Sequence, residues 1–194
     1  MQVIPLYLNN SNQTPAGGLT IGELIRTSGK EHLWNNRLQE HIDTVVIHYA
    51  SAVDYYPEMP LDVLSIIRVF CNLGVSSHYI IARNGDIYAL VPENKRAWHC
   101  GGSIMPEPDN RRDVNEFSLG IELVATALSG FTEEQYTSLI GLCVDIENRY
   151  KQTIQYVGHE DIAGERAVAL KLRSDIKFDP GPMFNWNRLK KITS

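Results

Sequence analysis

Two short apolar runs constrain this chain more than any other feature. The first is Thr-Val-Val-Ile at 44–47, closed by His48; the second is Phe-Ser-Leu-Gly-Ile-Glu-Leu-Val-Ala at 117–125, broken only by Glu122. A strand with one face in water alternates apolar and polar residues, and these do not, so they read as strands covered on both faces. Covered strands need helices to cover them, and the intervening segments carry that signal. Residues 60–74 place apolar side chains at 63, 64, 66, 67, 70 and 71, with Pro60 where a helix opens and Gly74 where one closes. Phe131-Thr132-Glu133-Glu134-Gln135 opens a second helix with a capping box from Thr132 to Gln135. Leu139, Ile140, Leu142, Cys143, Ile146 and Tyr150 supply its apolar face.

Between the two runs, SSHYIIARNGDIYALV reads as a hairpin turning at Arg83-Asn84-Gly85-Asp86. Ile154 to Val157 give one more strand, leading into GHEDIAGERA. Strands and helices alternate around a hairpin, which predicts an α/β domain with a mixed central sheet flanked by helices. The first forty residues differ in texture. QTPAGG is loop-like and a short helix is read over about 20–27, so 1–40 is expected to be an extension packed on a domain at 41–194.

A chain of 194 residues buries one good core with an elaboration. A net charge of −5 and a pI near 5.7 provide no basic field for phosphates, which disfavours nucleic acid and anionic membrane as partners. No run approaches the ~18 apolar residues of a membrane span. The N-terminus lacks the basic and apolar regions of a secretory signal, so a cytoplasmic protein is expected. Cys71, Cys100 and Cys143 are an odd number with no CxxC pair and do not form a disulfide framework. Cys71 and Cys143 fall on apolar helix faces as core residues, and Cys100 beside His99 is read as structural.

Polar residues at strand ends draw attention, since a strand terminus fixes a side chain while leaving it open to solvent. His48 follows one strand and His159 another; each alone is more often a hydrogen-bonded structural residue than a ligand. With Asp179 they make three donors, the number a catalytic zinc site takes from protein while leaving a position for water. No HExxH pair exists, so such a site has to be assembled from distant segments.

The succession TVVIHYA, VSSHYIIARNGDIYALVPENKRAWHCGGS, FSLGIELVA, GHEDIAG and KFDPGPMFNW resembles the zinc-dependent N-acetylmuramoyl-L-alanine amidases of the type 2 amidase family, in the AmpD-like branch. That branch is related to phage amidase lysozymes and peptidoglycan recognition proteins. The likeness runs over about 42–188 with its blocks in order. It implies that His48, His159 and Asp179 hold a zinc ion, that Glu122 and Lys177 are catalytic, and that peptidoglycan or a muropeptide is the substrate. His78 belongs to a family motif and is expected to point inward. Trp98, His99 and Gly101 are expected to bind substrate, with core packing an equal reading for Trp98.

The chain departs from the family at one place. The pattern is close to DIAPGRKTDPG, whereas here Gly164 follows Ala163 directly and the loop before Lys177 is about ten residues longer, a change that costs little closure entropy. The inserted segment, 165–176, is placed to cover the groove. Lys171 and Arg173 lie nearby, but only Lys177 keeps the two-residue offset from Asp179. Within the family reading, recycling of anhydro-muropeptides and a phage-type lysin both stay open. A recognition module that binds fragments without cutting them is the alternative of a different class, and retention of all three candidate ligands with Glu122 argues for the enzyme. A closed structural zinc site needs a fourth ligand, for which only Cys100 and His78 are available.

Overall fold

The pleat of the central strands decides where the chemistry sits, because it sends alternate side chains to opposite faces of the sheet. A computed structural model describes residues 2–8, 20–27 and 29–189. In chain order its elements are β1 (Val3–Pro5), α1 (Ile21–Thr27), β2 (Trp34–Asn36), β3 (Thr44–Ala50), α2 (Val63–Leu73), β4 (Tyr79–Ile81), β5 (Ile87–Ala89) and β6 (Lys95–Ala97). They continue with β7 (Ser118–Val124), α3 (Glu133–Tyr150), β8 (Gln155–Gly158), α4 (His159–Ala163) and α5 (Glu165–Ala169). A six-stranded sheet has the order β1-β5-β4-β7-β3-β8, and β2 pairs with β6 in a separate two-stranded ribbon. β4, β7, β3 and β8 are mutually parallel, while β5 runs antiparallel to β4 and β1 parallel to β5. This is the mixed sheet between helices that the strand pattern predicts.

Along β3 and β7 the side chains divide by the two-residue period. Val45, Ile47, Leu119, Ile121 and Leu123 pack with Leu139, Leu142, Cys143 and Ile146 of α3, and Phe184 joins this cluster. Ile80 and Val124 join a second cluster on the opposite face with Ile66, Ile67, Phe70 and Cys71 of α2 and Ile21, Leu24 and Ile25 of α1. Val46, Cys100, Phe117, Val157 and Ile162 form a third, smaller cluster. All three cysteines are free and buried.

Local chemistry explains the element ends. Thr132 Oγ1 accepts from the Gln135 backbone and the Gln135 side chain accepts from the Thr132 backbone, closing the expected capping box. The hairpin turns as expected, with Ala82 N donating to Asp86 O at 2.9 Å. α2 begins at Val63 rather than at Pro60, because the Asp62 carboxylate caps it by accepting from Ser65 N at 2.8 Å. β3 continues two residues past His48, since its pairing with β7 extends to Ala50 opposite Val124. The short helix read over 20–27 forms, with Thr20 and Glu23 capping each other, whereas the loop-like QTPAGG lies outside the described residues. Segments of polar composition also become strands by pairing: Trp34-Asn-Asn36 with Lys95-Arg-Ala97.

Candidate active site

His48 and Glu122 are direct partners in the parallel register of β3 and β7. Both therefore project from the same face, between the second and third apolar clusters. Both are buried, at 2% and 7% exposure. Burial raises the Glu122 carboxyl well above the usual carboxylate range, and the nearby Asp179 charge adds to the effect. Burial, with the charge of His159, pulls His48 down to about 4. Next to Glu122, Gly120 has a steric role: a Cβ there would lie 2.6 Å from the ring of His99. The glycine inside this covered strand thus makes room for the close approach of an imidazole.

His159 opens α4 directly after β8, and the turn is fixed by Gly158 N donating to the Asp161 carboxylate at 2.7 Å. Glu160 N donates to the Asp179 carbonyl at 2.9 Å, tying the last segment to the start of that helix. As a result Asp179 Oδ2 lies 2.9 Å from His48 Nδ1 and 3.2 Å from His159 Nδ1. Burial opposes ionisation of Asp179, but hydrogen bonds from His159 and His48 outweigh it and hold the carboxyl well below its ordinary range. The outer nitrogens are engaged as well. His48 Nε2 is 3.0 Å from His99 Nδ1, and His159 Nε2 is 3.2 Å from the Cys100 carbonyl.

Two overlapping trios have the geometry to hold a metal ion: His48 with His159 and Asp179, and His48 with His99 and Cys100. The donor chemistry separates them. Burial pushes the Cys100 thiol far up, which disfavours the thiolate a metal requires, whereas Asp179 is an ionised oxygen donor. The first trio also has the outer-shell pattern of a ligand set, each imidazole anchored through its far nitrogen. Two nitrogens and one carboxylate oxygen suit zinc with a position left for water.

A cavity of about 580 Å³ opens on this trio, within the range of small-molecule sites. Glu122, Lys177, Trp98, His99 and Gly101 line it, along with apolar side chains of α2. All eight residues singled out from the sequence thus come together around one cavity. Lys177 is 40% exposed, and its Nζ pairs with Asp175 Oδ2 at 3.1 Å. Trp98 is half-buried, with Nε1 donating to Asn35 Oδ1 at 3.0 Å, so it both packs on the α2 side and faces the groove. His99 is buried against His48. His78 points inward, accepting from Gly120 N at 2.9 Å. Arg173 also lines the cavity and was not among the residues the sequence marked for the site.

The N-acetylmuramoyl-L-alanine amidase family profile matches residues 38–182, a stretch that contains all of these site residues. The chain belongs to this family. It is 37% identical over 118 residues to the 1,6-anhydro-N-acetylmuramyl-L-alanine amidase AmpD of Enterobacter cloacae, covering 60% of this chain and 56% of that one. The chain thus spans little more than half the length of that relative. Among solved structures, a selenomethionine AmpD derivative matches with a TM-score of 0.62 and 29% identity, over 82% of this chain and 89% of that one. The Escherichia coli amidase AmiD, in complex with the substrate anhydro-N-acetylmuramic acid-L-Ala-D-γ-Glu-L-Lys, matches with a TM-score of 0.54 and 32% identity, over 78% of this chain and 57% of that one. Among the described residues, no helix is long and apolar enough to cross a membrane.

Proposed function

We propose that the protein hydrolyses the amide bond between N-acetylmuramic acid, in its 1,6-anhydro form, and L-alanine in soluble muropeptides. The observation that carries this reading is the convergence of His48, His159 and Asp179 beside the buried acid Glu122 in a chain of this family. The substrate bound to the AmiD relative and the name of the AmpD relative support the anhydro-muropeptide as the compound cleaved. Cytoplasmic recycling of wall fragments goes with that substrate and is part of the same proposal. The domain at 41–194, extended by residues 1–40, carries the reaction.

His48 Nδ1, His159 Nδ1 and Asp179 Oδ2 would hold a zinc ion. Such an ion, when bound, lowers the pKa of water towards ~7 and polarises a carbonyl. The remaining work falls to the chain's own groups. Glu122, whose proton affinity is raised by burial, takes the proton from the water that attacks the lactyl carbonyl carbon. As the new C–O bond forms, negative charge develops on the carbonyl oxygen, and the Lys177 ammonium at the cavity wall stabilises it. Glu122 then passes its proton to the amide nitrogen, the C–N bond breaks, and the products are a lactyl carboxylate and a peptide with a free L-alanine amine. Trp98 and Gly101 would contact sugar and peptide along the groove, with His99 forming the floor beside His48.

Incubation of the zinc-loaded protein with anhydro-muropeptides and, separately, with intact sacculi tests the reading by mass analysis of released peptide. Peptide from the soluble fragments alone is the expected result. Release from sacculi alone would replace recycling by wall lysis, and binding without release from either would leave a recognition module.

A further inference from the structure

The inserted segment brings its own fastening to the site. α5 occupies its first residues, and Leu172 N returns to the Ala167 carbonyl at 3.0 Å. The strap then lies on the Gly101-Gly102 backbone so closely that a Cβ on Gly102 would sit 1.9 Å from the Leu172 carbonyl oxygen. That seat delivers Arg173, whose side chain is only 9% exposed. Its Nη1 donates to the Cys100 carbonyl at 3.2 Å, the same oxygen that receives His159 Nε2. Its Nε donates to the Asp175 carbonyl at 2.6 Å, and Nη2 lies 3.3 Å from the Asp175 carboxylate, which also pairs with Lys177 Nζ at 3.1 Å.

We infer that Arg173 is a positioning residue: it fixes the Cys100 carbonyl that orients His159, and through Asp175 it holds the Lys177 ammonium at the cavity wall. A planar guanidinium with several donors in fixed directions suits this three-way tie, and lysine does not replace it. The tie also accounts for how the segment between His159 and Asp179 can be long without leaving the site loose. Loop length itself costs little, provided that one buried group pins the strap where it passes the metal ligands. The inference rests on the zinc reading of His48, His159 and Asp179.

Three variants separate its parts. In Arg173→Met, zinc affinity measured by chelator competition is expected to fall about 10–100-fold, the usual effect of losing an outer-shell partner. Its kcat on an anhydro-muropeptide falls as well, with KM within about threefold, because the loss is of orientation. In Asp175→Asn the backbone carbonyl still receives Nε, so zinc affinity stays within about twofold while kcat falls by up to about 100-fold through Lys177. Gly102→Ala keeps the guanidinium in the chain but pushes the strap, and Arg173 with it, away from the same carbonyl, and is expected to weaken zinc as Arg173→Met does. Thermal melting of the metal-free variants identifies any that fail to fold. Zinc affinity equal to wild type in a folded Arg173→Met or Gly102→Ala protein overturns the inference, as does an Asp175→Asn protein that loses zinc equally. A wild-type protein that binds no zinc overturns the metal reading instead.

Discussion

The two sides of the site are held by different kinds of structure. His48 and Glu122 ride on β3 and β7, paired residue for residue over seven positions, and every residue of β7 is buried. Their separation and direction follow from the pleat and from the register, so they move only if the sheet does. His159, Lys177 and Asp179 instead occupy the first residue of a five-residue helix and a stretch, 174–180, without helix or strand. There the position of each side chain depends on single hydrogen bonds, such as Glu160 N to the Asp179 carbonyl and Lys177 N to the Ala163 carbonyl at 3.1 Å. The strand side holds the buried acid Glu122 through the sheet; the loop side holds the ionised carboxylate of Asp179 and the Lys177 cation, paired with Asp175, through individual polar contacts.

Substitutions on either side sharpen that contrast. Asp179→Ala removes the carboxylate that both imidazoles face, so zinc affinity should fall by more than about 100-fold, beyond an outer-shell loss, and hydrolysis with it. Zinc retained at full occupancy would break the assignment of the loop side. Glu122→Gln should keep zinc within a few-fold while kcat falls about 10²–10⁴-fold, the contribution of a positioned base. The same change should stabilise the metal-free protein at neutral pH. With its carboxyl raised by burial, folded Glu122 keeps a proton that the unfolded chain releases above about pH 4, so stability falls as pH rises through that window. Glutamine removes the slope, which urea unfolding across pH detects.

Lys177→Met should lower kcat by about 10²–10³-fold with little change in zinc affinity, separating the oxyanion role from the ligands on the same loop. The smallest effect is in stability. Held at about 4, His48 stays neutral in the metal-free native state while the unfolded imidazole takes a proton near pH ~6.5. Stability present above about pH 6.5 is then lost as pH falls through about 4, by up to about 3 kcal/mol, and His48→Asn should flatten that limb in chelator.

The sequence was most legible where structure is made by regular repeats. His48 and Glu122 each stand alone in an apolar run, and covered strands leave few ways to place them; the capping box and the Asn-Gly turn were equally local. It was less legible where pairing or packing over long distances decides. Nothing in Trp34-Asn-Asn36 announces a strand until Lys95-Arg-Ala97 lies beside it, and Val3–Pro5 becomes a strand by adding to β5. The contact of His99 with His48 was hidden because it passes over Gly120, from a different segment. Arg173 was visible only as a nearby charge, since its meaning depends on which carbonyl it reaches.

The central claim is that this cavity cuts the muramyl–alanine amide by adding water to the lactyl carbonyl. Hydrolysis of an anhydro-muropeptide in ¹⁸O-water by the zinc-loaded protein, followed by mass analysis of both products, tests it directly. The predicted result is one heavy oxygen in the lactyl carboxylate of the anhydro-muramic acid, an unlabelled peptide beginning with L-alanine, and no such products from Glu122→Gln. An intact substrate, or heavy oxygen in any other fragment, would contradict the account.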